Sequence, residues 1–397
     1  MRAIGREPIF IERAHGAEIV DVDGNTYVDY VCSWGPMILG HAHPHVLEAV
    51  AEAAALGTSF GAPTAAEVDL AELVTQRMPG IDMLRMTSSG TEATMSAIRL
   101  ARAATGRETL VKFAGAYHGH VDGLLALAGS GLATQGIPAS PGVPESATRA
   151  TVIVPWNDEA AVRAALAEHD VAALLAEPFP ANMGLVAPEP GFLELLRELA
   201  TARGALLVFD EVITGFRVSA GGAQELTGVI PDLTVLGKVL GGGLPAAAYG
   251  GSEELMNRVA PAGDVYQAGT LSGNPLAVAA GRATLELLDE EAYVHLAATT
   301  EALATGLAEA ARDRPVQVAW APGLATVFFS AEPVTDYAGA AACDAESYGA
   351  WCRALLARGV YPPPSQFEAW FPSLAHTHQH VTRTLDAAAA AFSEIAR

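Results

Sequence analysis

The chain has 397 residues, 51% of them apolar, and a formal net charge of −22 from 45 acidic and 23 basic side chains. That length exceeds one simple core and predicts about two domains, and the composition is that of an ordered globular protein. So acidic a surface repels phosphate backbones and argues against nucleic acid as a partner, while leaving room for local anion sites. No uninterrupted apolar run reaches the ~20 residues of a membrane span, and the first residues lack the apolar stretch of a signal peptide. Cys32, Cys343 and Cys352 form no close-spaced redox or metal motif. Their odd number suits a reducing cytoplasm.

The first predicted elements are strands. Ile19–Val22 and Thr26–Tyr30 flank an Asp23-Gly24-Asn25 turn, a hairpin signal. From about residue 45 strands and helices alternate. Leu84–Thr87, Leu110–Phe113, Thr151–Val154, Ala172–Ala176, Ala205–Phe209 and Leu233–Leu236 read as strands, with helices such as Ala160–His169 and Phe192–Arg203 between them. This alternation predicts the α/β class: a mostly parallel sheet covered by helices on both faces. After about Leu288 the helices are long and alanine-rich, with Ala325–Phe329 as a strand among them. The expected division is 1–45 as the N-terminal part of a small α+β domain, 46–287 as the large domain, and 288–397 as the C-terminal part of the small one.

Two residues at strand ends suggest the chemistry. Asp210 follows Leu207-Val208-Phe209, and Lys238 follows Leu236-Gly237 and precedes Val239-Leu240-Gly241-Gly242-Gly243. An amine and an acid delivered by neighbouring strand ends suit pyridoxal phosphate (PLP). The lysine holds the cofactor as a Schiff base, and the acid keeps its pyridine nitrogen protonated. Asp210 in apolar surroundings needs a cation, which the pyridinium supplies; Arg217 is the alternative. Lys238 can also be a plain loop lysine, although the glycines after it imply something packed against them.

Ser89-Gly90-Thr91 stands between a strand and a helix, where free N–H groups and hydroxyls make a phosphate cup or, taken alone, an ordinary capped helix. Tyr117, in Ala116-Tyr117-His118-Gly119-His120, can lie flat on a cofactor ring with Val212 over the other face; such a Tyr-His pair is also commonly structural. Asn182 can hydrogen-bond a ring oxygen or serve a turn. The Gly-, Ser- and Pro-rich stretch Ala128–Pro144 is a lid or a surface excursion. His41, His43 and His45 alternate, as do His376, His378 and His380, but neither set has the carboxylates or cysteines of a zinc site. They read as turn and surface histidines, and no metal is expected.

With these motifs in order, the chain resembles fold-type I PLP enzymes of the class III aminotransferase group, and within it the glutamate-1-semialdehyde aminomutases. The resemblance covers nearly the whole chain. Its more specific segments are Cys32–Met37, Gly57–Pro63, Ser89–Ala101, Tyr117–His120, Ala128–Gly131, Asp210–Arg217, Val265–Pro275 and Pro364–Glu368. It implies the conversion of glutamate 1-semialdehyde to 5-aminolevulinate for tetrapyrroles, with the cofactor passing through its pyridoxamine form. Lys238 becomes the Schiff-base lysine and proton shuttle, and Asp210 the partner of the pyridine nitrogen. Ser89, Gly90 and Thr91 become phosphate ligands, joined by Thr270 from the neighbouring subunit of a homodimer. Tyr117, Val212 and Asn182 contact the ring, and Trp34, Ser130 and Glu368 line the substrate side. The stretch from Ala128 to Pro144 becomes a gate. The family carries a further N-terminal segment ending in Asn-Ser-Pro-Val-Arg; Arg2 takes up its arginine as the substrate-carboxylate anchor, without the serine. The resemblance also implies a transient contact with glutamyl-tRNA reductase, the enzyme upstream.

Overall fold

The computed structural model describes residues 1–127, 134–135 and 137–395. They fall into two compact units, one of Met1–Ala49, Ala181–Ala187 and Glu286–Arg397, the other of Val50–Pro180 and Pro188–Leu285. The short segment 181–187 thus belongs with both chain ends, which a division at 45/46 and 287/288 does not separate out.

The second unit is built on one sheet. Its strands are β1 (Met83–Thr87), β2 (Thr109–Phe113), β3 (Thr151–Val154), β4 (Val171–Ala176), β5 (Leu206–Glu211), β6 (Leu233–Leu236) and β7 (Ala247–Gly251). They lie in the order β1-β7-β6-β5-β4-β2-β3, with Thr134–Gln135 on the edge beside β3. From β6 through β3 the pairing is parallel, and β7 runs antiparallel to both its neighbours. The six strands expected from apolar runs are all present. β7 was not expected, because Ala-Ala-Tyr-Gly-Gly has no β-branched residue to announce it. Its small size serves packing: a Cβ at Gly251 would lie 2.5 Å from the Asp232 carbonyl oxygen.

Helix α1 (Gly90–Thr105) lies against this sheet. Its buried stripe of Ala93, Ala97, Leu100 and Ala101 joins Leu110, Ala173, Val208, Val235 and Tyr249 in one core. The alanines keep the helix close to the strands, which fixes where its first turn points.

The first unit opens with an antiparallel meander of Ile11–His15, Glu18–Asp21 and Thr26–Asp29, to which Val360–Tyr361 adds a parallel edge. The expected Asp-Gly-Asn turn is present, and the Asp21 carboxylate accepts from the backbone of Asp23 and Asn25. Helices Glu290–Ala310, Ala345–Leu356 and His378–Glu394 pack with an aromatic core of Tyr30, Trp351, Trp370 and Phe392. One expectation fails here. His376 is fully buried, stacked on Tyr30 at 4.6 Å, and is not a surface residue.

Candidate active site

In the second unit, parallel register aligns Asp210 with Val235 and Glu211 with Leu236. β5 and β6 therefore end side by side, with Asp210 near the end of one and Lys238 two residues past the end of the other. Lys238 is half-buried and has φ +46°, left-handed backbone that a lysine adopts only under constraint. Val212, just past β5, packs close to two other elements of the site. A Cβ at Gly90 would lie 3.1 Å from its Cγ2, and one at Gly237 would lie 3.3 Å from its Cγ1. Gly90 at the helix start, the turn of Gly237 and Lys238, and Val212 are thereby brought together.

Asp210 is buried and both its oxygens are engaged. Oδ1 accepts from Val212 N at 3.1 Å, and Oδ2 meets His118 Nδ1 at 2.7 Å. Asp210 is thus partnered by His118. The loop that follows β2 carries Tyr117, whose ring is half exposed beside the fully buried His118 side chain. Tyr117 N donates to Glu177 Oε1 at 2.9 Å, and His120 meets Thr91 Oγ1 at 3.2 Å through Nδ1. Ser89 caps α1, accepting from Glu92 N, while Ser88 N donates to Glu92 Oε2 at 2.8 Å. An exposed aromatic face, a pinned buried acid, a lysine on the next strand end and a helix start rich in free N–H groups fit a phosphorylated aromatic aldehyde.

Two further buried groups flank this cluster. Lys112 in β2 donates to the carbonyls of Ala116 and Leu124 at 2.9 and 3.2 Å, and burial lowers its pKa to about 8. Glu211 accepts from Ala223 N, Gln224 Nε2 and Thr214 Oγ1, anchoring the turn after β5, and burial raises its pKa.

The remaining expected residues lie elsewhere. Asn182, Trp34 and Glu368 belong to the first unit, on segments stitched to one another: Gly184 N donates to Phe367 O, and Phe371 N to Tyr30 O, each at 2.8 Å. Trp34 is 42% exposed and sits in a left-handed turn with Cys32 and Ser33 at φ +46°, +57° and +67°. Asp29 holds that turn, accepting from Val31 N and Cys32 N while facing His41 Nε2 at 2.7 Å. Arg2 is exposed in the first helical turn. Thr270 is exposed too, and lines a concavity of about 840 Å³ with Ser59–Thr64 and Met83–Met86. Ser130, with 128–133 and 136 of the expected gate, lies outside the described residues. No set of three or more His, Cys, Asp or Glu side chains able to hold a metal ion occurs among the described residues. Likewise, no described helix is long and apolar enough to cross a membrane.

Residues 2–387 match the model of the class III aminotransferases, and the chain belongs to that family of PLP enzymes. Some of its relatives within the family are more particular. The chain is 56% identical to the glutamate-1-semialdehyde 2,1-aminomutase of Desulforudis audaxviator, over 98% of this chain and 92% of that protein. Among solved structures it is similar to an omega-transaminase from Sphaerobacter thermophilus, at TM-score 0.93 and 36% identity over 98% of this chain and 91% of that one. It is also similar to a glutamate-1-semialdehyde aminomutase from Pseudomonas aeruginosa PAO1 in complex with PMP, at TM-score 0.89 and 29% identity over 98% and 88%. The cofactor is pyridoxal phosphate.

Sequence reasoning left four contributors without a role. His118 was weighed as structural, and Lys112, Glu177 and His120 were not weighed at all. Glu177 carried a usable signal: like Asp210, it is an acid directly after an apolar strand. Lys112 carried another, a lysine inside a strand that is otherwise apolar.

Proposed function

We propose that this chain is a PLP-dependent glutamate-1-semialdehyde 2,1-aminomutase, converting glutamate 1-semialdehyde to 5-aminolevulinate for tetrapyrroles. The observation that carries this is the 56% identity to an aminomutase along nearly the whole chain. Bound PLP, cycling through its pyridoxamine form, supplies an electron sink for moving an amino group between substrate carbons.

The chain's own residues do the rest. Asp210, fixed by His118 and Val212 N, presents negative charge to the pyridine nitrogen. The first-turn amides of α1, with Ser89, Gly90 and Thr91, bind the phosphate, whose charge the helix dipole favours. Tyr117 and Val212 would hold the ring from its two faces, and Asn182 would donate to its oxygen. The Lys238 amine would hold the cofactor and serve as the proton carrier for the reacting carbons. Arg2 anchors the substrate carboxylate, with Trp34 and Glu368 on the substrate side.

The reading includes a homodimer in which Thr270 completes the neighbouring phosphate site. Exposed Phe60, Val68, Tyr266 and Leu271 near Thr270 support it, as apolar surface that a second copy would cover. It also includes a cytoplasmic location, which three free buried cysteines suit, and a transient contact with glutamyl-tRNA reductase.

The test is turnover of glutamate 1-semialdehyde with neither amino donor nor oxo acid added. Sustained 5-aminolevulinate formation is expected. Dependence on a 2-oxo acid would instead make the chain an ω- or β-amino acid aminotransferase, as the name of the Sphaerobacter structure suggests for that relative. Lys238→Ala should abolish turnover while leaving the circular dichroism spectrum intact; retained activity would remove Lys238 from its role. A purified chain with no borohydride-reducible chromophore would point to a non-catalytic protein.

A further inference from the structure

Lys112 stands on β2 toward one side of the sheet, 5% exposed, between the neighbouring strands β4 and β3. A buried ammonium is costly unless its protons are accepted and its charge is balanced. Both conditions are met. Its Nζ donates to Ala116 O at 2.9 Å and to Leu124 O at 3.2 Å. Those carbonyls bracket one loop, the loop that carries Tyr117, His118 and His120. The far side of the loop is held from other elements: Tyr117 N by Glu177, His118 by Asp210 and His120 by Thr91. Lys112 ties its two ends together.

The charges that face Lys112 are the carboxylates of Glu177 and Asp210, both of which favour its ammonium form against the desolvation that disfavours it. Each of those carboxylates is also bonded to the loop, Glu177 through Tyr117 N and Asp210 through His118. One cation thus closes the loop and answers two acids that hold it.

We propose that Lys112 is a positioning residue of the cofactor site: its ammonium closes the Ala116–Leu124 loop that carries Tyr117 and His118, and offsets the charge of Asp210 and Glu177. This rests on the assignment of Asp210 and Lys238 as cofactor residues. It touches neither substrate nor cofactor, and it acts through Tyr117 and His118.

The test compares the PLP-loaded enzyme with its Lys112→Met and Lys112→Gln variants. Methionine keeps the length and removes both charge and donors; glutamine keeps a donor. Two readouts besides activity apply. Hydrogen exchange of the amides from Ala116 to Leu125 should quicken about tenfold or more in Lys112→Met, and less in Lys112→Gln. The pH midpoint of the bound cofactor's visible absorbance should rise by roughly half a unit or more in both, because losing a nearby cation favours the protonated form.

Wild-type exchange rates and an unmoved midpoint in both variants would overturn the proposal. Failure of both variants to fold would overturn it as well, assigning Lys112 to core stability. A wild-type protein that binds PLP without a pH-dependent visible band would instead sink the Lys238 and Asp210 assignment, a separate and distinguishable failure.

Discussion

His118 Nδ1 lies 2.7 Å from Asp210 Oδ2, with both side chains buried. The acid proposed to face the cofactor is therefore braced by an imidazole donor on a different loop. His118 Nε2 is buried and makes no hydrogen bond, so Nδ1 is the ring atom that does the bracing. The same loop carries Tyr117, which couples the acid's orientation to the aromatic shelf.

Removing that brace should weaken cofactor binding. A hydrogen bond to a charged group contributes about 1.5–3 kcal/mol, so His118→Ala should raise the dissociation constant for PLP roughly tenfold or more. Titrating apoenzyme with PLP by fluorescence reads this directly. An unchanged constant would show that Val212 N alone suffices to hold Asp210.

Asp29 does comparable work in the other unit. It satisfies two amides at the entrance to the left-handed turn of Cys32, Ser33 and Trp34 and pairs with His41. Asp29→Ala would strand those donors and leave three non-glycine residues in left-handed backbone without the carboxylate that braces them. We expect a loss of about 2–4 kcal/mol in urea denaturation, with a higher KM from a displaced Trp34. A loss below about 1 kcal/mol would mean that the turn holds without its carboxylate.

His376 makes acid stability titratable. Its Nδ1 meets Ser373 Oγ at 2.8 Å, and burial lowers its pKa from 6.5 to about 4, with nearby His380 acting in the same direction and Asp29 opposing. Above pH 6.5 the ring is neutral folded and unfolded, and stability is undiminished. As pH falls from 6.5 toward 4 the unfolded chain takes up a proton that the folded one refuses, so stability is lost. The loss approaches 1.4 kcal/mol per pH unit and totals about 3 kcal/mol. Replacing the ring as His376→Asn should flatten this stretch of the curve relative to wild type. Parallel curves would place the acid sensitivity elsewhere.

The fold was legible where burial writes a period or a run. β1 to β6 announce themselves as apolar stretches, and α1 by its alanine stripe behind a serine cap. β7 did not, because a strand squeezed between neighbours is mostly alanine and glycine, and Tyr249 alone is too little strand signal. Asp210 and Lys238 were legible because strand ends deliver chemistry in such sheets. Lys112 and His118 were not. The acids that face them, Asp210 and Glu177, are distant in sequence, and no local spacing encodes which loop a buried ammonium will close. His376 was misjudged for a related reason: with no further ligands for zinc nearby it read as a turn or surface histidine, while tertiary stacking on Tyr30 buried it.

Lys238 sits where a glycine would rest without cost, at φ +46°. Left-handed backbone is dear for any side chain but glycine, by about 1–2 kcal/mol. With Lys238 in its proposed role, the residue best suited to the local backbone is thus one that would silence the enzyme. Any breeding of this protein for heat tolerance alone would be drawn toward inactive descendants at this position. A screen for hardier variants has to count product as well as survivors.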